Sequence, residues 1–292
     1  MSAIPWNLEP VAGAPLGAVM TGIDLTSPPA GLLDALPSLL AKHGVMVFRD
    51  QSLPPEALLD LAGAFGPVEE SVLDQFSKPG YPKIYTLSNI IENGRPIGSA
   101  TDGFGWHTDQ GYFERPTAYT FLYGIETPAE GADTVFSTTR RAYDSLPQER
   151  QAALRHIMTR HSYMKMMTDR AKKPEFAGKV PMPTEEQRAR VPEVVHPLVR
   201  RHPVDGGQGL YLGGQTLVEM IGLAPAESDA LTKELFILCT AERFQYRHVW
   251  RPRDLVVWDN RHTMHRATPY DKERFRRLVW RVSVQGERPV AA

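Results

Sequence analysis

The sequence predicts a mainly β fold with flanking helices, and three observations carry that prediction. Short apolar runs bounded by Gly, Pro and Asp recur from end to end, as strands separated by turns do. Helical spacing is confined to a few segments lying before or between those runs. At 292 residues the chain can bury one large core, which suits a single β sandwich or barrel with inserted helices as well as it suits two domains. In order, residues 19–25 read as a strand and 31–42 as an amphipathic helix, with Pro37 a candidate for its true first turn. The unbroken apolar run 44–48 is a buried strand. Pro54-Pro55 opens a second helix, which runs past Leu61 to Phe65 and stops at Gly66-Pro67. Strands follow at 84–88 and 118–125, and helices at 140–146 and 149–158. Residues 163–193 carry four Met, several Lys and Arg and four Pro without clear periodicity, and are expected to form a lid insertion. The strand pattern returns at 194–199 and 209–212. A helix spans 226–241, and the chain ends in strands at 244–250, 255–259 and 278–284.

Composition narrows the function. A formal net charge of −1 gives no global attraction to nucleic acid or to an anionic membrane surface, so neither is expected as a partner, and any acidic ligand must be held locally. Cys239 is the single cysteine. It cannot form an intramolecular disulfide, and its apolar surroundings predict a buried helix position rather than a nucleophile. With no signal-peptide pattern and no apolar run of about 20 residues, the expected location is cytoplasmic.

Chemistry concentrates at His107-Thr108-Asp109. On extended chain, residues i and i+2 share a face, so His107 and Asp109 can reach one metal ion while Thr108 points away. Alone, the triplet is also what chance supplies in a chain with nine histidines. A third ligand is offered by His265 in Trp258-Asp259-Asn260-Arg261-His262-Thr263-Met264-His265, with His262 its nearest rival. Two imidazoles and a carboxylate on one face of an octahedron suit Fe(II) and leave positions open for oxygen and a co-substrate. Near the C-terminus, Arg277 and Arg281 lie four apart on a predicted strand and share a face, while Arg276 faces away. Two guanidinium groups directed into one cavity predict two acidic ligands, because a buried pair without anions would be costly.

The blocks Trp106-His107-Thr108-Asp109, Gly131-Ala132-Asp133-Thr134, His196-Pro197-Leu198-Val199-Arg200-Arg201-His202-Pro203 and 258–265 resemble the TauD/TfdA family of Fe(II)- and 2-oxoglutarate-dependent dioxygenases. The resemblance covers nearly the whole chain. It implies a single domain over 1–292, folded as a double-stranded β-helix (jelly roll) that brings His107, Asp109 and His265 to one end. It also implies Fe(II), 2-oxoglutarate and O2 as cofactors, His107, Asp109 and His265 as metal ligands, and a homo-oligomer. Arg277 with Thr134 would hold the distal carboxylate of 2-oxoglutarate. Arg281 would meet an acidic group of the small-molecule substrate, with Tyr163, Tyr211, Tyr112 and Phe104 lining its pocket. Taurine-type members carry a histidine and an asparagine where this chain has Ser71 and Gly103. An aryloxyalkanoate or alkyl sulfonate is therefore the expected substrate class, with succinate and CO2 released. The alternative is a jelly-roll protein using the same ligands for zinc, as a hydrolase or binding module.

Overall fold

The computed structural model describes residues 6–174, 178 and 180–292, and most of its regular structure is β. The largest sheet orders its strands Asn7–Pro10, Ala18–Thr21, Val45–Phe48, Leu255–Asp259, Thr117–Glu126, Leu278–Gln285, Tyr81–Ser88 and Ser77–Lys78, with Val68–Glu69 also paired to Leu278–Gln285. All its pairings are antiparallel except Ala18–Thr21 on Val45–Phe48. A second sheet places Thr134–Thr138 between Gln245–His248 and Thr263–Ala267.

Strand parity divides the interior. Met46, Phe48, Phe121, Leu255, Val257, Val282 and Val284 pack towards the helices Leu32–His43 and Pro55–Gly63. Their neighbours Val45, Val47, Leu122, Val256, Trp258 and Val279 point the other way, onto Phe136 and Tyr246 of the second sheet. Both faces of the large sheet are thus covered, which is why 44–48 reads as a continuous apolar run. Each fully buried Val, Leu or Phe contributes about 1.5–3 kcal/mol. A third cluster, containing Leu235 and Cys239, packs the helix Pro225–Cys239 against Leu198, Leu210 and Met220. Cys239 is buried, as expected.

Several sequence expectations need adjustment, among them the strand read at 19–25, which is Ala18–Thr21. The first helix starts at Leu32 and runs through Pro37, giving up one hydrogen bond to keep Leu32 and Leu36 in the core. The second ends at Gly63 rather than near Phe65. Met158, expected in a helix, opens the strand Met158–His161. Residues 163–193 are not without periodicity: they include the helices Tyr163–Ala171 and Glu185–Ala189, while residues 175–177 and 179 of that expected lid lie outside the described residues. No helix among the described residues is long and apolar enough to cross a membrane.

Candidate metal centre and active-site cavity

His107 and His265 face each other across a single antiparallel bridge, closed by His107 N–H to His265 O at 3.0 Å and the reverse at 2.8 Å. Their rings lie 4.2 Å apart. His265 is carried by Thr263–Ala267, and Asp109 occupies the turn just after His107. The loop 213–216 seats this segment: Gly214 has φ 61°, and a Cβ there would come within 2.7 Å of His107 Cα.

The three side chains converge. His107 Nε2 is 3.7 Å from Asp109 Oδ1 and His265 Nε2 is 3.8 Å from Asp109 Oδ2, and all three ligand atoms lie within 4.8 Å of one another. The Nδ1–H of His107 donates to Gly105 O at 2.6 Å, so its Nε2 lone pair faces the carboxylate. Asp109 is 3% exposed. Burial works against its charge, but His265, Arg281 and His107 outweigh that and hold it below the usual carboxylate range. Burial, helped by His107, pushes His265 down to about 3. A buried, ionised carboxylate faced by the Nε2 atoms of two imidazoles, with His265 held neutral by burial, is a donor set suited to a divalent metal.

Among the described residues a second trio could in principle hold a metal, namely His202, Asp259 and His262. Its carboxylate is already occupied: Asp259 accepts from Arg261 Nε at 2.8 Å, Arg261 Nη2 at 2.6 Å and His202 Nε2 at 2.9 Å. His262, the rival to His265, belongs to this buried knot, with both ring nitrogens unpartnered.

The cavity over the candidate metal centre is lined by His107, Asp109, Arg281, Tyr112, Tyr163 and Phe104, together with Ser71, Gly103, Tyr85, Asp102, Met166, Met167 and Arg170. Arg281 reaches it because odd-numbered residues of Leu278–Gln285 face the second sheet. Its guanidinium lies 3.8 Å from Asp109 Oδ1 and 4.5 Å from the centre of the Tyr85 ring.

Arg277 does not share that cavity. It lines a smaller adjoining pocket with Ala132, Ala267, Thr268 and Tyr270, and Asp102 and Phe104 border both spaces. The expectation of one cavity for both arginines fails because four residues of strand span roughly 13 Å. Arg277 forms no salt bridge among the described residues, and burial lowers its proton affinity. Thr134 is not part of its pocket: it pairs with Ala267 one strand away, and its hydroxyl accepts from Trp250 Nε1 at 3.0 Å. Arg276 is exposed and pairs with Glu126 at 2.9 Å.

Tyr211 does not line the substrate cavity either. It is 1% exposed and packs behind the wall against His161, His196 and Arg200. In its place the cavity holds residues that sequence reasoning missed. Asp102 accepts from the Tyr85 hydroxyl at 2.7 Å and pairs with Arg170 at 2.6 Å. Burial opposes its ionisation, and Arg170, Tyr85 and Arg281 outweigh burial, leaving it below the usual range. Arg170, with Met166 and Met167, comes from the helix Tyr163–Ala171, whose Ser162 cap and apolar spacing at 163, 166 and 167 were available as signals.

The family model described as "Taurine catabolism dioxygenase TauD, TfdA family" matches residues 7–283. The chain is 30% identical to pentalenolactone F synthase of Streptomyces arenae, over 91% of each chain. It is 32% identical to the alpha-ketoglutarate-dependent 2,4-dichlorophenoxyacetate dioxygenase of Cupriavidus pinatubonensis, over 80% of this chain and 82% of that one. The crystal structure of AAD-2 in complex with Mn(II) and N-oxalylglycine superposes with a TM-score of 0.79 at 26% identity, covering 98% of this chain and 99% of that one.

Proposed function

The chain belongs to the TauD, TfdA dioxygenase family, and from that premise we propose that it oxidises a small organic acid with an apolar body, such as an aryloxyalkanoate or an alkyl sulfonate. Its cofactors are those of the family, Fe(II), 2-oxoglutarate and O2. Bound together, they supply the oxidant, and 2-oxoglutarate leaves as succinate and CO2. Family membership also displaces the zinc-hydrolase alternative.

In this reading, His107, Asp109 and His265 hold the metal. The observation that carries it is the convergence of those three groups on one cavity that also contains Arg281. Arg277 would hold the distal carboxylate of 2-oxoglutarate in the adjoining pocket, with Thr134 a neighbour one strand away rather than a direct partner. Arg281 would orient the substrate acid, and Phe104, Tyr112 and Tyr163 would exclude water around its body. Asp102 has both oxygens engaged, one by Tyr85 and one by Arg170, and Asp109 would be taken by the metal, so neither described acid of the cavity is left for a substrate ammonium. This favours an acid whose remaining body is uncharged, in line with the 2,4-dichlorophenoxyacetate relative and with the absence of the taurine-type residues at Ser71 and Gly103. The two facing sheets and the family support reading the fold as a double-stranded β-helix, and the helix Tyr163–Ala171 would serve as the cavity's cover within one catalytic domain.

The test is oxygen uptake and succinate release by Fe(II)-loaded protein, with 2-oxoglutarate and a panel of aryloxyalkanoates and sulfonates. Release that requires 2-oxoglutarate and rises with a panel acid is expected. The absence of both the anaerobic visible band on adding Fe(II) with saturating 2-oxoglutarate and any 2-oxoglutarate-dependent oxygen uptake would sink the proposal.

A further inference from the structure

We infer that Thr120 and Asn260 are positioning residues that leave Asp109 a single oxygen, Oδ1, to offer a metal; this rests on Asp109 being a ligand, as proposed above. Hydrogen-bond direction along the chain of partners fixes these roles. Asn260 is 1% exposed, and its side-chain oxygen faces two groups that can only donate, the backbone N–H of Asp109 at 3.1 Å and Trp258 Nε1 at 3.0 Å. Those two donors fix which end of the amide points where. The amide NH2 must therefore face Thr120 Oγ1, 2.9 Å away.

A threonine hydroxyl has one proton. With Asn260 donating to it, Thr120 can only give that proton away, and Asp109 Oδ2 lies 2.7 Å off. Thr120 is itself fully buried, on the cavity face of Thr117–Glu126, opposite in parity to Tyr119 and Phe121, which pack towards the helices. Among the described residues no donor comes within hydrogen-bond distance of Oδ1, the nearest side-chain nitrogens of the site being His107 Nε2 at 3.7 Å and Arg281 Nη1 at 3.8 Å.

The carboxylate is therefore asymmetric. Oδ2 is capped by a hydroxyl whose direction the rest of the chain dictates, and Oδ1 keeps its charge. The relay from Trp258 through Asn260 and Thr120 fixes both the rotation of the Asp109 carboxylate and, through its backbone N–H, the turn that carries it. Such outer partners typically hold a ligand's orientation and basicity. One donor atom per protein ligand, with a single oxygen from Asp109, also leaves three of six octahedral positions for co-substrate and oxygen.

The experiment titrates metal-free protein with Mn(II) and follows the electron paramagnetic resonance of the free aqueous ion, with metal-free melting temperatures measured in parallel. Thr120→Val removes the hydroxyl at nearly constant volume, and Thr120→Ser restores it. Thr120→Val is expected to weaken Mn(II) binding by about 10- to 100-fold, and Thr120→Ser to return it to within about threefold of the parent. Unchanged binding in Thr120→Val overturns the inference. So does a Thr120→Ser protein that binds as poorly as Thr120→Val, because the loss would then follow packing rather than the proton. If the parent itself takes up no Mn(II), the ligand assignment fails and the inference falls with it, an outcome distinct from the other two.

Discussion

Replacing Arg277 with glutamine should weaken 2-oxoglutarate binding while stabilising the ligand-free protein, and the pairing of those opposite effects is the informative part. Arg277 lies just before Leu278–Gln285, in a pocket whose bordering carboxylate, Asp102, is engaged by Tyr85 and Arg170 rather than by Arg277, and burial disfavours its charge. A carboxylate ligand would remove that cost. Hydrogen bonds to a charged group contribute about 1.5–3 kcal/mol, and losing a forked pair costs roughly 2–4 kcal/mol, or about 30- to 1,000-fold in affinity. The backbone anchors persist in the variant, because Arg277 N–H donates to Asn89 Oδ1 at 2.8 Å and its carbonyl accepts from Ser88 at 2.8 Å. Removing an uncompensated, partly buried charge should return about 1 kcal/mol, which raises the melting temperature by about 2 °C in a domain of this size. Calorimetric titration of 2-oxoglutarate into anaerobic Mn(II)-loaded protein measures the first effect, and scanning calorimetry of the metal-free protein the second. Parent-like affinity in the variant would place the co-substrate carboxylate elsewhere. A fall in both affinity and melting temperature would make Arg277 a structural residue.

Two further outcomes follow from charges in and near the cavity. Arg170→Gln should free one oxygen of Asp102, so that succinate release supported by taurine rises at least about fivefold relative to that supported by the isosteric propanesulfonate, in keeping with a charged hydrogen bond of about 1.5 kcal/mol; an unchanged ratio would refute the role given to that ion pair. Glu69, which accepts from Gln285, is pushed by burial up to about 7 from the ordinary 4.5. Its folded form thus keeps a proton that the unfolded chain has already shed, so stability falls as pH rises from about 4.5 to about 7 and stays low above that. Glu69→Gln should therefore gain up to about 3 kcal/mol over the parent at pH 8, less whatever solvent screens, and little at pH 4.5. A melting-temperature difference that is the same at both pH values would contradict this.

What the sequence disclosed depended on range. His107 and Asp109 were legible from their i, i+2 spacing, although Asp109 sits in the turn after His107 rather than on continued extended chain, and the strands 44–48 and 255–259 because burial on both faces leaves an unbroken apolar run. The strand Thr263–Ala267, which carries His265, has the sequence Thr-Met-His-Arg-Ala. Polar and only five residues long, it has no periodicity to read, and the assignment of His265 came from resemblance alone. Asp102 sits in a Thr-Asp-Gly turn that looks like any solvated loop until Tyr85 and Arg170, from two other segments, close on it. Tyr211 had the opposite fate: an aromatic beside an apolar strand suited a pocket wall and a buried layer equally, and contacts with His161, His196 and Arg200 decided for the layer.

The same burial that hid these contacts from the sequence sets the chemistry of the metal centre. Metal binding competes with protons, and a site with two imidazoles and a carboxylate normally loses affinity as pH approaches the histidine range. Here the competition is already settled for two of the three groups. Burial and the neighbouring His107 hold His265 neutral down to about 3, and the groups packed around Asp109 hold its carboxyl below the usual range despite its burial. Neither need shed a proton to accept a metal at neutral pH. For those two groups, the free energy that most sites spend on deprotonating their ligands was spent here during folding, in burying an ionised Asp109 beside an uncharged His265 ring. The metal-free protein should accordingly gain stability when a divalent ion binds, since that ion supplies the charge the pocket was built around.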